Sequence, residues 1–440
     1  MKRNWIICLL LAATLLLSGC MSTVDQMYCL PKRSENILDL QAAMVRAMAG
    51  LDYCAPLSGE NQQTVQTADL DGNGIAECLV FAKGGSEKPM KILIFVYENG
   101  EYVLRSTIEG NGTSFDQVEY VQMDGVGGME LVVGCQVSDQ VLRRVSVYTF
   151  DGTQTTLLTS TVYTKFLTVD IDSDNLRELV ILRPGQTDVD NGVVELYGVE
   201  NGVMERANEA TMSEPVGQLK RLIVGKLQDG EPAVYVACSV NESAIITDVY
   251  AMLDGVFTNV SLSNDSGTSV QTLRNYYVYA TDIDSDGVVE LPDLIHMTPI
   301  NPEAKSAERQ YLIRWYAMRL DGTEVDKQFT FHNYVGGWYF QLNRDLVSRI
   351  TVVQQGSAFV FYIWDKDFTI HEKLLTIYAF SGEDRDLHAN SDGRFVLQRS
   401  ETTIYAGQLE AASANYGLTK ENVINSFHMI FQEWKTGETK

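Results

Sequence analysis

The chain has 440 residues, with 58 Asp and Glu against 34 Lys and Arg, and a formal net charge of −24 at pH 7. Such acidity excludes nucleic acid as a partner and direct electrostatic adhesion to anionic lipid, because both need clustered cations. Seven cysteines are present, and no CxxC spacing or Cys/His cluster suggests zinc.

The first element is an export signal. Lys2 and Arg3 are followed by an apolar run from Trp5 to Leu17 and by small residues before Cys20. The run is too short to span a bilayer comfortably, and no later segment is apolar for long enough. Leu17-Ser18-Gly19-Cys20 resembles the lipobox of bacterial lipoproteins. That resemblance implies removal of residues 1–19, diacylglyceryl attachment to the Cys20 sulfur, and anchoring on the outer leaflet of the cell membrane. The mature chain would carry a net charge of −26, since Lys2 and Arg3 leave with the signal. Its length calls for several domains or a repeat fold rather than one core.

Residues 20–34 read as the lipidated Cys and a tether. Residues 35–60 form an N-terminal helical segment, with Ile37, Leu40, Met44, Met48 and Leu51 at helical spacing and Ser34 as N-cap. Cys8 lies in the signal. Of the five other cysteines, Cys29 and Cys54 flank the helix and are the candidate disulfide. Cys78, Cys135 and Cys238 sit in apolar strand patterns and are expected as buried thiols.

From residue 61 onward the chain is short strands and turns. Asp69-Leu-Asp71-Gly-Asn73-Gly74-Ile75-Ala-Glu77 places oxygen side chains at positions 1, 3, 5 and 9, with Gly at position 6. Calcium loops are built from hard oxygen ligands at alternate positions and a residue that allows a sharp turn. The pattern recurs at Asp170, Asp172, Asp174 and Glu178, and at Asp282, Asp284, Asp286 and Glu290. Position 7 would lend the carbonyls of Ile75, Leu176 and Val288. In the second copy Asn175 replaces Gly at position 6, a residue that tolerates the left-handed conformation better than most. The loops hold three, four and four carboxylates. Without a cation, each pair repels by up to about 4 kcal/mol at ~4 Å in an effective dielectric near 20. Up to three structural calcium ions are therefore expected. Two further copies have decayed: Gln122, Asp124, Val126 and Glu130 keep two ligands, and Lys226-Leu-Gln228-Asp229-Gly230 keeps almost none. Both are expected as structural turns. An EF-hand at 282–293, with Asp293 at position 12, is disfavoured because Tyr276 to Tyr279 read as strand and Pro292 would disrupt an exiting helix.

After each loop comes an apolar strand, then a strand ending in Tyr, then a turn. The Tyr markers at 97, 148, 197, 250, 316 and 378 lie 51, 49, 53, 66 and 62 residues apart. A period near 50 residues with about four strands per unit predicts an all-β propeller. Starts near 65, 118, 166, 221, 277, 335 and 392 favour seven blades, with six as the alternative. A C-terminal helix is expected over 419–434, started by Thr419, with Ile424, Phe427, Ile430, Phe431 and Trp434 as its apolar stripe.

Loops of the form DxDxDGxxE at blade spacing resemble the FG-GAP or VCBS repeat family over about residues 60 to 400. Together with the lipobox and Gly337-Trp338-Tyr339-Phe340, they are similar to lipoproteins of Gram-positive bacteria. The resemblance implies loops on one face of the propeller and binding surfaces at inter-blade loops. His296, His332, His371, His388 and His428 are scattered outside any catalytic motif. Trp338, Tyr339 and Phe340 would serve as a sugar platform or, more simply, as blade core, and Trp315 and Trp364 are read as core too. The expectation is therefore a non-enzyme: a lipid-anchored, extracytoplasmic, calcium-binding module whose ligand is a protein or a glycan. A carbohydrate-active or hydrolytic propeller is the alternative.

Overall fold

The computed structural model describes residues 35–85, 87–137, 142–183, 191–200, 202–240, 244–276, 278–303 and 310–430. The signal at 1–19, Cys20, Cys29 and Ser34 lie outside these residues, and with them the lipid anchor and the Cys29–Cys54 pair. Among the described residues Cys54, Cys78, Cys135 and Cys238 form no disulfide with one another. No helix among the described residues is long and apolar enough to cross a membrane.

The fold is all-β and propeller-like, a succession of antiparallel sheets. The first sheet contains Val65–Ala68, Glu77–Lys83, Met90–Glu98 and Glu101–Gly110, with Asp52–Tyr53 added. The second runs Ser114–Val121, Glu130–Gln136, Arg143–Phe150, Thr155–Tyr163. Lys165–Val169, Glu178–Arg183, Val193–Glu200 and Val203–Thr211 make the third. Leu219–Lys226, Pro232–Ser239, Ile245–Leu253 and Val256–Asn259 make the fourth. The Asn-Gly and Asp-Gly turns do what their chemistry suggests. Asn99 and Gly100, and Asp254 and Gly255, all take positive φ and close two-residue hairpins.

The last two sheets depart from the expected count. The fifth holds Glu290–His296, Tyr311–Met318 and Glu324–Asn333, then adds Trp338–Leu342 and Phe427–Met429 at its edge. The sixth holds Ile350–Gln355, Ala358–Trp364 and His371–Ser381, then Thr403–Leu409 and Phe395–Arg399. The strand at 338–342, expected to open a unit, is instead the fourth strand of sheet five, the sixth sheet opens at Ile350, and the unit expected near 392 is absorbed into that sixth sheet, so six sheets form among the described residues. The expected long C-terminal helix also stops early. Thr419 does start a helix, its hydroxyl accepting from Asn422 N–H at 3.2 Å while Asn422 Oδ1 accepts from Thr419 N–H at 2.8 Å. That helix covers only Lys420–Asn425. Phe427 then pairs with Phe340, and His428 with Tyr339. An open strand edge offering unpaired backbone groups, and a core site for the Phe427 ring, outcompete helical continuation.

Central strands such as Glu77–Lys83, Glu178–Arg183 and Pro232–Ser239 are buried on both faces, which explains strands without clean alternation. Cys78, Leu79, Val80, Phe81 and Ala82 are all at most 1 % exposed. Hydrophobic clusters join sheets one and two, two and three, three and four, four and five, and five and six. Phe81 meets Phe115 edge-on at 5.1 Å across the first of these, and Phe331 meets Phe361 at 5.4 Å across the last. No such cluster among the described residues joins the first sheet to the sixth. Helices cover those faces instead. Helix α1 (Glu35–Ala47) lays Leu40, Ala43, Met44 and Ala47, with Met48 just past its end, over Cys78, Val80 and Phe95 of sheet one. Helix α2 (Arg385–Asn390) sets Ala389 against Ile404 and Ala406 of sheet six.

Candidate metal centres and the inner cavity

The three acidic loops share one backbone. The first two join paired neighbouring strands, Val65–Ala68 with Glu77–Lys83 and Lys165–Val169 with Glu178–Arg183, and the third runs from the bridge between Thr281 and Glu290 into Glu290–His296. In each, position 6 takes a positive φ: 83° at Gly74, 71° at Asn175 and 87° at Gly287. Asn175 therefore does the work of the expected glycine. The position-6 N–H donates to the position-1 carboxylate, at 2.9 Å on Asp69, 3.1 Å on Asp170 and 2.9 Å on Asp282. Glu77, Glu178 and Glu290 reach back to accept from the N–H groups of Leu70, Ile171 and Ile283, at 2.7, 3.0 and 3.0 Å.

This folding draws three carboxylates together per loop. Ligand oxygens of Asp69, Asp71 and Glu77 lie within 4.8 Å of one another, as do those of Asp170, Asp172 and Glu178, and of Asp282, Asp284 and Glu290. Asp174 and Asp286 stand outside the converging sets. Like Asn73, they turn one oxygen to the position-7 N–H, of Leu176, Val288 and Ile75 respectively. The position-7 carbonyls sit on the same loops.

Each cluster also holds a buried carboxylate oxygen with no hydrogen-bond partner: Asp69 Oδ1, Asp170 Oδ1 and Glu290 Oε1. Orphaned buried oxygens are costly and rare, and here they sit where a cation would take them up. Burial, with the neighbouring loop carboxylates adding to it, pushes Glu178 and Glu290 up to about 7 and raises Glu77. Asp172 and Asp284 are raised by the same two causes in the same order. All-oxygen, carboxylate-rich donors suit a hard divalent ion of calcium size. The residues present fit calcium.

The decayed copies differ as expected. Gln122 and Asp124 keep the loop shape, and Glu130 still accepts from Met123 N–H at 2.7 Å, yet no carboxylate trio forms there. At 226–231 the chain makes a tight turn, with Gly230 N–H on Leu227 O at 2.9 Å.

The loops are also tied to one another. Met129 N–H donates to Asp69 O at 3.0 Å, Arg177 N–H to Gln122 O at 2.8 Å, and Val289 N–H to Lys226 O at 3.0 Å. In each case position 8 of one loop bonds position 1 of the loop before it. Where the other loops carry Ala76, Met129 or Val289, the loop at 170 carries Arg177. That Arg was the readable signal of a second site. Its Nη1 donates to Thr168 O at 3.0 Å, and it lines a cavity of about 910 Å³ at the inner edge of sheets two, three and four. Glu119, Tyr120, Gln117, Thr168 and Arg221 line it too. Glu119 is held by the Thr168 hydroxyl at 2.5 Å and by the Gln117 amide, and burial raises its pKa.

His296, His371 and His388 are exposed, while His332 and His428 are partly buried among aromatic rings. Both ring nitrogens of His332 are buried without a partner, the ring stacks on Tyr339 at 5.0 Å, and burial pushes its pKa down to about 3. His428 stacks on Tyr339 too, and His371 packs edge-on to Trp364. Trp338, Tyr339 and Phe340 are 1, 6 and 2 % exposed, so no sugar platform is presented there.

No family model matches the chain. No curated protein matches it either. Solved structures do. It is similar to the exotype rhamnogalacturonan lyase YesX, at 12% identity and a TM-score of 0.31, covering 82% of this chain and 72% of that one. It is similar to the rhamnogalacturonan lyase PL11 of Bacillus licheniformis, at 12% and 0.31, covering 73% and 72%. A protein from Lactobacillus plantarum matches at 13% and 0.27, covering 73% and 86%. Two of these three are enzymes, and the expectation of a non-enzyme is corrected on that finding. Likeness at these scores argues for no particular activity.

Proposed function

We propose that the chain is a calcium-stabilised, extracytoplasmic propeller that binds glycan at the cell surface, tethered through a lipid on Cys20. The observation that carries this reading is the trio of matching loops, each with converging carboxylates and a buried oxygen in want of a partner. Asp69, Asp71 and Glu77, then Asp170, Asp172 and Glu178, then Asp282, Asp284 and Glu290 would hold the ions, which supply charge neutralisation and a fixed loop geometry. The export signal, the lipobox-like Cys20 and the strong acidity support the compartment. Thermal melting with and without a chelator tests the calcium. Removing it should lower the melting temperature, and identical melts would overturn the reading. Asp282→Ala with Asp284→Ala should cost more stability than Asp124→Ala. Cys20→Ser should release the protein from membranes, and continued retention would count against the anchor.

Polysaccharide cleavage is the second reading. The inner cavity favours it by setting Glu119, whose pKa burial raises, near two arginines. Rhamnogalacturonan, the substrate for which the two similar lyases are named, is the first polysaccharide to incubate with the calcium-loaded protein. Release of shortened, unsaturated products would favour cleavage over binding alone.

A further inference from the structure

We propose that the inner cavity is a binding site for a carboxylate-bearing saccharide and that calcium in the loop at 170 holds Arg177 in place for it. This rests on the calcium reading above and goes beyond it in naming the site and the ligand. The cavity is about 910 Å³, large enough for a disaccharide. In a chain of net charge −24, two of its four charged lining residues are arginines, Arg177 and Arg221, against Glu60 and Glu119. A guanidinium is planar and presents paired N–H donors that match a carboxylate. The remaining polar lining consists of amides and hydroxyls, including Gln117, Tyr120, Gln122 and Thr168, which suit a ligand rich in hydroxyls. Leu167, Leu222 and Met129 supply apolar ground for the faces of sugar rings.

Arg177 joins this cavity to the metal loop. It stands between Leu176, which offers a candidate ligand carbonyl, and Glu178, one of the converging carboxylates. Its main-chain N–H is fixed on Gln122 O at 2.8 Å, and its guanidinium on Thr168 O at 3.0 Å. Thr168 in turn holds Glu119 at 2.5 Å. An ion gripping residues on both sides of Arg177 would restrict its backbone and leave the guanidinium aimed into the cavity. Without the ion, Asp170, Asp172 and Glu178 repel one another and the same backbone is released.

Calorimetric titration of the mature protein with digalacturonate, and with the neutral disaccharide galactobiose, tests both parts. In about 1 mM calcium, digalacturonate should bind at least tenfold tighter than galactobiose, the worth of one charged hydrogen bond. Arg177→Gln should lose roughly that factor while keeping its melting temperature and all its calcium. Asp172→Asn should lose one calcium ion and weaken digalacturonate by a similar factor. Absent or equal binding of the two sugars, or an unaltered Arg177→Gln, overturns the site. Full affinity in an Asp172→Asn protein that has lost its ion overturns the coupling. Calcium counted on the same samples separates the failures. No bound calcium in the wild type would sink the metal reading, whereas calcium bound without acid preference sinks only this inference.

Discussion

Lys327 shows how one residue can alter a site that its neighbours build. Between Tyr311–Met318 and Glu324–Asn333 of sheet five, Trp315 pairs with Gln328 and Tyr316 with Asp326, so Lys327 is the extra residue of a β-bulge. Bulges re-aim side chains, and this one directs the Lys327 ammonium onto Asp286 Oδ2 at 2.7 Å. The ion pair lowers the Asp286 pKa. Sheets one, two and three have the same bulge, and there the extra residues are Arg105, Leu158 and Ala207. Arg105 is engaged by Glu98, away from any loop. The loop at 282 thus has a built-in cation, and calcium must bind beside it. Lys327→Met should strengthen one of the calcium sites by roughly three- to tenfold and lower the melting temperature of the chelated protein, the modest size reflecting a partly exposed pair. Calorimetry on wild type and variant reads both effects, and unchanged affinities would refute the idea. The loop was legible in the sequence because its ligands lie within nine residues. Lys327 was not, because it stands 41 residues away and only strand register brings it there.

At the scale of the element, the loop at 122–130 explains why a decayed copy keeps its shape. It has lost its carboxylate trio, yet it stands between two intact loops and bonds both of them. Gly128 is where that contact is tightest. A Cβ there would lie 2.4 Å from both Asp69 O and Leu70 C, which are backbone atoms and cannot step aside. Gly128→Ala should therefore destabilise by about 1–3 kcal/mol, the usual cost of overpacking, and should weaken calcium at the loop at 69. Denaturant melts with and without calcium check this. A variant as stable as the wild type would mean the loops are not in firm contact. Elements with local signals were legible in the same way: Thr419 as a cap, Asn99-Gly100 as a hairpin, Asn175 in the role of glycine. The helix expected through Trp434 failed at Phe427 because the periodicity of its apolar residues carries no record of the strand edge at Trp338–Phe340 waiting to pair with it.

Over the whole molecule, repetition made the sheets legible, while the ends broke the period. Residues near 335 and 392 fall at blade spacing, but each finds an edge of an existing sheet, and helices α1 and α2 cover the faces that a further blade would have met. What the sequence states without ambiguity is the accumulated negative charge, and its consequence can be measured. In the metal-free chain Glu130, Glu178 and Glu290 are each pushed up to about 7 from 4.5, with burial the main cause. Between those values the folded chain holds protons that the unfolded chain has released, so the stability of the chelated protein must fall as pH rises through the window. His332 works in the opposite sense. Its folded pKa is about 3 against 6.5 unfolded, so it costs stability as pH falls. One histidine is outweighed by three glutamates across most of the range. The chelated protein should melt higher near pH 5.5 than near pH 7.5, each group contributing in proportion to its shift. Calcium needs ionised carboxylates, so it removes the penalty of Glu178 and Glu290 at neutral pH and should reverse the trend in the loaded protein. Glu130 lies outside the three carboxylate trios, and Glu130→Gln should raise the neutral-pH melting temperature of both forms. Melting curves across this range, with chelator and with calcium, give the test. A chelated protein whose melting temperature climbs toward neutral pH would show that its acidic loops are already relieved by something other than a metal.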